Sequence, residues 1–321
     1  MVNYMHKKAR KEHAMTDILP LTEPDGILLV DKPAGMTSHD VVFRVRRLFG
    51  TKKVGHTGTL DPMATGVLVV LLGRAAKATE YVSHDEKAYV ATLRTGIVTD
   101  TEDTTGTVLK SSEMLPSFAD VEAILPRFRG QIMQIPPMYS ALKVGGRKLC
   151  DLARAGITVE REARPVTVFD LTATPTDDPR DFALFVRCSG GTYIRTLCAD
   201  IGASLGCGGA MATLRRVEAV GFSIADCTTL EALEEMSMEA RLSLLRPVET
   251  LFSDIGKVTL SAFFYTLCRN GCEIYQSKIG THFEVGTRVR LLDPEGQFFA
   301  LGEVQEFEEG TAIKAIKLFR I

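Results

Sequence analysis

Gly55-His56-Thr57-Gly58-Thr59-Leu60-Asp61-Pro62-Met63-Ala64-Thr65-Gly66 runs directly into Val67-Leu68-Val69-Val70-Leu71-Leu72-Gly73. The first part is polar and glycine-rich. The second is a run of six apolar residues closed by glycine at both ends. Such a run reads as a short strand buried on both faces, although periodicity alone does not distinguish it from a buried helix. Asp61 lies in the loop before it, and Pro62 biases Asp61 toward extended backbone. A carboxylate on a stiff loop at the mouth of a buried strand suits a catalytic acid, base or nucleophile. It equally suits an Asp-Pro turn initiator.

Working outward, Ile27–Val30 reads as a strand between two turns, Asp25-Gly26 and Asp31–Gly35. Ser38 is expected to cap a helix whose face is Val41, Val42, Val45, Leu48 and Phe49, with Gly50 ending it. Arg44 and Arg47 fall three apart on the opposite face, as a phosphate grip or a solvated surface. Ala75–Val82 reads as a helix and Tyr89–Arg94 as a strand. Thr99–Gly106 reads as a mobile acidic loop, and Phe118–Leu125 as a helix capped by Ser117. Gln131–Tyr139 is extended around Pro136-Pro137, and Lys148–Ala155 is a helix closed by Gly156. Strands follow at Val166–Phe169 and Phe182–Cys188. Two glycines and a threonine cap then open a helix with Ile194, Leu197, Ile201 and Leu205 inward. Arg195 in its first turn opposes the helix dipole, as expected of an arginine with an anionic partner and also of a surface arginine. Ala212–Val220 reads as a strand and Leu230–Met238 as a helix. Beyond about residue 250 the segments become short and β-rich, with a turn at Asp293–Gly296, and a domain boundary is placed there.

The totals fit a soluble two-domain protein of 321 residues, with 45% apolar and 24% charged residues. No apolar run approaches the ~20 residues of a membrane span. Residues 1–23 are basic without an apolar core, so they read as a disordered arm and not a secretory signal. Seven irregularly spaced cysteines suggest reduced thiols and a cytoplasmic protein, with no metal set. Net charge is −2, so bulk charge announces no nucleic-acid binder. Two local basic stretches do better: Arg44–Lys53, and Arg127–Lys148 with Lys143 in it.

Five stretches, in order, resemble the TruB family of bacterial tRNA pseudouridine-55 synthases. They are Asp31-Lys32-Pro33 to Ser38, Gly55 to Gly66, Gln134 to Lys143 with Gly146 and Gly156, Gly191 to Leu197, and Leu214-Arg215-Arg216. Residues from about 252 resemble a PUA-type RNA-binding β-barrel. Cys150 stands where a tyrosine is expected. The resemblance implies an α+β fold: a pseudouridine-synthase catalytic domain at 24–250, with a mixed, mostly antiparallel sheet flanked by helices, and a PUA-like domain at 251–321. It implies isomerisation of uridine 55 in the T loop of tRNA, on a flipped-out base; such an isomerisation needs neither cofactor nor metal, and a monomer with no obligate protein partner is the expectation, although the sequence itself gives no oligomeric state.

Residue by residue, the resemblance makes Asp61 the catalytic nucleophile and Arg195 its partner. Tyr193 becomes the acceptor of the C5 proton, and Tyr89 the stacking platform. Lys32 and Leu214 line the pocket, and His56 fills the space of extruded nucleotides. Arg44, Arg47 and Lys143 are candidates for the RNA backbone. The residue types suit the chemistry. An isomerisation moves no electrons between molecules, and a carboxylate beside a guanidinium stays charged where water is excluded.

Overall fold

A computed structural model describes residues 23–82 and 86–320. The expected N-terminal arm lies outside the described residues, apart from Glu23, which pairs with Lys53 at 2.9 Å.

The main sheet has ten strands. Its path runs Thr228–Thr229, Gly26–Lys32, Thr65–Leu72, Gly209–Ala219, Lys87–Thr95, Asp181–Cys188, Arg164–Pro175 and Gly130–Gln134, with Val54–His56 and Phe222–Ser223 attached beside it. Two antiparallel blocks meet in the middle. Gly26–Lys32 pairs with Thr65–Leu72 on one side, and Gly209–Ala219 begins the other block by pairing with Lys87–Thr95. Between the blocks the pairing is parallel and only two residue pairs long, Arg215 with Thr65 and Arg216 with Gly66. The expected mixed, mostly antiparallel sheet is present.

Thr65–Leu72 is the buried strand its composition predicts. Val67, Val69 and Leu71 enter one apolar cluster, while Leu68, Val70 and Leu72 enter another on the opposite face. Burying each such side chain contributes about 1.5–3 kcal/mol, so this strand anchors both layers. The helix Ser38–Phe49 covers one face through Val41, Val42, Val45 and Phe49. The helices Phe118–Ile124 and Ile194–Ser204 cover the second block.

Several local expectations are corrected. Thr37, not Ser38, caps the first helix, because Asp40 reaches back to complete a capping box. The stretch expected as a helix at Ala75–Val82 is a 3-10 helix, Gly73–Tyr81. Leu230–Met238 divides into Leu230–Glu235 and Met238–Ser243, because Ser237 caps a new start. The helix Ile194–Ser204 has no side-chain cap; the Thr192 hydroxyl donates instead to the Ser189 carbonyl.

The C-terminal segment forms a curled, open five-stranded sheet in the order Lys257–Thr259, Arg288–Leu292, Phe298–Phe307, Gly310–Leu318, Ile274–Tyr275. Phe252, Phe298 and Phe319 stand 5.4–5.9 Å apart, ring to ring. They share one apolar cluster with Ile27, Leu29, Val67, Val69 and Leu71 of the main sheet.

Candidate functional site

The loop carrying Asp61 leaves the sheet at the short parallel seam, and the fold fastens it from several directions. The Ser38 hydroxyl accepts from Leu60 N at 2.8 Å and donates to Leu60 O at 3.2 Å. Freed from capping, Ser38 thus ties the first helix to the residue before Asp61. Gly35 N donates to Pro62 O at 2.8 Å, and Ala64 N donates to Asp61 O at 3.0 Å. The buried Lys32 ammonium donates to the carbonyls of Pro33 (2.7 Å), Met36 (2.6 Å) and Pro62 (3.3 Å). On the far side the Arg216 guanidinium donates to Val67 O at 2.7 Å, Gly58 O at 3.1 Å and Thr59 O at 3.5 Å. Gly66 makes the seam possible. Its φ is +105°, and a Cβ there would lie 2.1 Å from Arg216 O.

Above the seam is a cleft of about 290 Å³ whose walls include Asp61, Tyr89, Tyr193, Arg195, Leu214 and Arg216. Asp61 and Arg195 form a two-pronged pair, Nε to Oδ2 at 2.9 Å and Nη2 to Oδ1 at 3.2 Å. Arg195 is 5% exposed and Asp61 33%, so the carboxylate faces the cleft while the guanidinium lies behind it. Arg195 also donates to Thr101 O at 3.1 Å and Tyr139 O at 2.9 Å. These bonds fix its plane and, through the pair, the plane of the carboxylate. Burial raises the Asp61 carboxyl above the usual carboxylate range. Arg195 pulls it down and Asp103 pushes it up, and the balance stays raised. Burial also raises the phenols of Tyr89 and Tyr193, which therefore meet the cleft as neutral hydroxyls at neutral pH.

The structure brings Asp61, Arg195, Tyr89, Tyr193 and Leu214 to one cleft. The other candidates sit elsewhere. Lys32 does not line the cleft; it is 0% exposed beneath it and holds the loop, with its pKa lowered to about 8 by burial. His56 is half-buried just before the cleft-lining residues, and burial and Arg216 lower its pKa. Arg44 is tied to Glu234 at 3.0 Å, Arg47 is exposed, and Lys143 lies on an exposed hairpin, Lys143–Val144 with Arg147–Lys148.

Three contributors escaped assignment from the sequence. The loop expected to be mobile at Thr99–Gly106 is folded around Asp103, whose Oδ1 accepts from Thr101 Oγ1, Thr105 N and Thr105 Oγ1 at 2.6–2.9 Å. That fold presents Thr101 O to Arg195; the spacing Thr-x-Asp-x-Thr was its visible signal. Gln134, 1% exposed, accepts from Tyr193 N at 3.0 Å and donates to Tyr193 O at 3.2 Å, bracing the residue from which the helix starts. Arg216 was visible only as one of two adjacent arginines on a strand. Its neighbour Arg215 is spent on Asp31, at 2.7 Å.

Among the described residues no group of His, Cys, Asp and Glu is placed to hold a metal ion. No helix among them is long and apolar enough to cross a membrane.

Family models match in two adjoining stretches: the TruB family pseudouridylate synthase N-terminal domain over residues 46–194, and the tRNA pseudouridylate synthase B C-terminal domain over 195–253. The chain is similar to tRNA pseudouridine synthase B of Burkholderia mallei, 41% identical over 88% of this chain and 94% of that protein. It is also similar to the protein of the same name from Azoarcus sp., 43% identical over 89% and 93%. Among solved structures, a Cbf5-Nop10-Gar1 complex contains a chain superposing with a TM-score of 0.71 at 25% identity, over 92% of this chain and 85% of that one. A Nop10-Cbf5 complex of the archaeal box H/ACA sRNP shows the same fold with a TM-score of 0.67 at 23% identity, over 92% and 86%. With the motif loop, the paired Asp61 and Arg195 and the fold all in agreement, the chain belongs to the TruB family of pseudouridylate synthases.

Proposed function

We propose that this protein converts uridine 55 in the T loop of tRNA to pseudouridine, with Asp61 as nucleophile on a base flipped into the cleft. The observation that carries the reading is the Asp61–Arg195 pair opening onto a hollow walled by Tyr89, Tyr193 and Leu214. The tRNA substrate is supported by relatives that are 41–43% identical to this chain over the aligned residues and are named tRNA pseudouridine synthase B.

The chemistry follows from the geometry. A base inside a folded arm is out of reach of a buried carboxylate, so it must leave its stack at a cost of a few kcal/mol. Stacking on Tyr89 returns about 1–3 kcal/mol of that. Asp61 then attacks the nucleoside, the C1′–N1 bond breaks, and the uracil turns within the cleft. C1′–C5 forms as the bond from C1′ to Asp61 breaks and frees the carboxylate, and Tyr193 accepts the C5 proton as its own hydroxyl proton is passed on toward N1. No atom enters or leaves. The pair with Arg195 keeps the carboxylate ionised and aimed, against the burial that favours its neutral form. Phosphates of the arm meet the basic residues outside the cleft, Arg47 and Lys143 among them. The reading carries with it a cytoplasmic monomer acting without a cofactor.

Asp61→Asn tests it. Unmodified tRNA should bind the variant as it binds the parent, while pseudouridine at position 55 falls by about 10,000-fold. Product formed at the parental rate would remove Asp61 from the chemistry. Free uracil released from tRNA by the parent would make the protein a glycoside-cleaving enzyme instead.

A further inference from the structure

Arg216 is the largest fully buried side chain among the described residues, 1% exposed, and it lies at the cleft. It donates to the backbone carbonyls of Val67, Gly58 and Thr59, and the Tyr89 hydroxyl also lies within its reach. No ion pair involves it among the described residues, whereas Arg195 has Asp61 and Arg215 has Asp31. A buried cation without a counter-charge costs several kcal/mol. Carbonyl dipoles offset part of that, but they leave its field uncancelled. Its charge acts on its surroundings: after burial it helps lower Lys32 and His56, and it partly offsets the burial that raises the Tyr89 hydroxyl. The last of these lies against the guanidinium, and Tyr89 is the platform under the base in the function proposed above.

We propose that Arg216 supplies the positive charge that stabilises the uracil while it is detached from the ribose, acting through the Tyr89 ring and hydroxyl. The proposal rests on the pseudouridine-forming reading. When C1′–N1 breaks, the electron pair stays on N1 and spreads over O2 and O4, while C1′ is taken by the Asp61 oxygen. The base is then an anion lying in the cleft against Tyr89. Arg195 commits four of its five N–H donors to Asp61 and to the carbonyls of Thr101 and Tyr139, and its charge is already matched by the Asp61 carboxylate. Arg216 has no carboxylate to satisfy, and its place is fixed before the charge develops, so no reorganisation is needed. When C1′–C5 forms and the C5 proton leaves, the charge disappears and Arg216 returns to its resting balance. Arg216 thus helps the base depart without holding the neutral base before or after.

The test uses the full-length protein and two tRNA transcripts, one carrying uridine at the target and one carrying 5-fluorouridine. Fluorine makes the departing base a more stable anion, so its departure depends less on an external charge. The readout is the single-turnover rate at which the target nucleoside loses its C1′–N1 bond. Arg216→Met should slow the uridine substrate by about 100-fold and the 5-fluorouridine substrate by about tenfold. Arg216→Lys, which keeps the charge, should recover most of the loss. Tyr89→Phe, which leaves Arg216 in place but removes the hydroxyl beside it, should show the same unequal slowing to a smaller degree. It serves if Arg216→Met does not fold. Equal slowing of both substrates would reduce Arg216 to a structural strut and overturn the proposal, with pseudouridine formation by the parent left standing. A parent that forms no pseudouridine from the uridine transcript would overturn the functional reading itself, and this inference with it.

Discussion

Lys32 reaches the loop of Asp61 through the Pro62 carbonyl, and the titrations of the two residues bound the working range. Asp61 must be ionised to attack, and its carboxyl is raised by burial. The acid limb of activity should therefore lie above the ~3.9 of an ordinary aspartate. Lys32, lowered to about 8, sets the other limb. Protonated, it has three donors for three carbonyls; neutral, it has two. The longest bond, 3.3 Å to Pro62 O, is the one lost, and it is the one that holds the Asp61 loop. Activity should fall as pH rises through about 8. Stability moves the other way: the unfolded lysine, with a pKa near 10.5, binds its proton more tightly than the folded one, so the Lys32 contribution to stability improves between about 8 and 10.5. A pH–rate profile recorded beside thermal melts checks this; a rate that stays flat to pH 10 would refute it. Sequence made Asp61 and Arg195 legible, because each is odd in its setting: an acid locked before proline, and a cation at a helix start. Lys32 was legible as part of a motif but was assigned to the wrong surface, since nothing in a sequence says on which side of a loop an ammonium comes to rest.

At the scale of the element, the seam between Thr65–Leu72 and Gly209–Ala219 is the demanding feature. Gly66→Ala combines a positive φ with a Cβ 2.1 Å from a backbone oxygen that has nowhere to move. It should cost about 3 kcal/mol or more in urea denaturation. Gly35→Ala shares the positive φ, +81°, but meets nothing within 4 Å. It should cost only about 1 kcal/mol. Equal losses would mean that conformation alone, and not the close approach of the strands, demands glycine at position 66. The strands themselves were readable because their composition and alternation are local. The double burial of Val67–Leu72 follows from six apolar residues with no polar break. The split of Leu230–Met238 was less visible, because a serine inside a helical pattern becomes a new cap only when the chain around it turns.

In the whole molecule, the C-terminal sheet and the main sheet share an apolar cluster through Phe252, Phe298 and Phe319. Tyr81 donates to Ile316 O at 3.4 Å, Lys77 donates to Leu318 O at 3.0 Å, and Arg290 pairs with Glu249 at 3.0 Å across the same junction. A chain truncated after residue 250 should therefore lose more than RNA affinity. It exposes the face of Ile27, Leu29, Val67, Val69 and Leu71, and should melt several degrees lower or aggregate. A truncated protein with the parental melting temperature would show that the junction adds nothing to folding. Composition marked where the second sheet begins. It did not show that the two sheets are welded, because contacts between residues such as 67 and 319 leave no local pattern in a sequence.

The loop that carries Asp61 is gripped by Lys32 and Arg216 from opposite sides before any nucleotide arrives. The entropy lost in immobilising those residues is therefore incurred once, when the chain folds, and is not charged again at each turnover. Whatever attraction the RNA has for the protein remains available for drawing one nucleotide out of its arm.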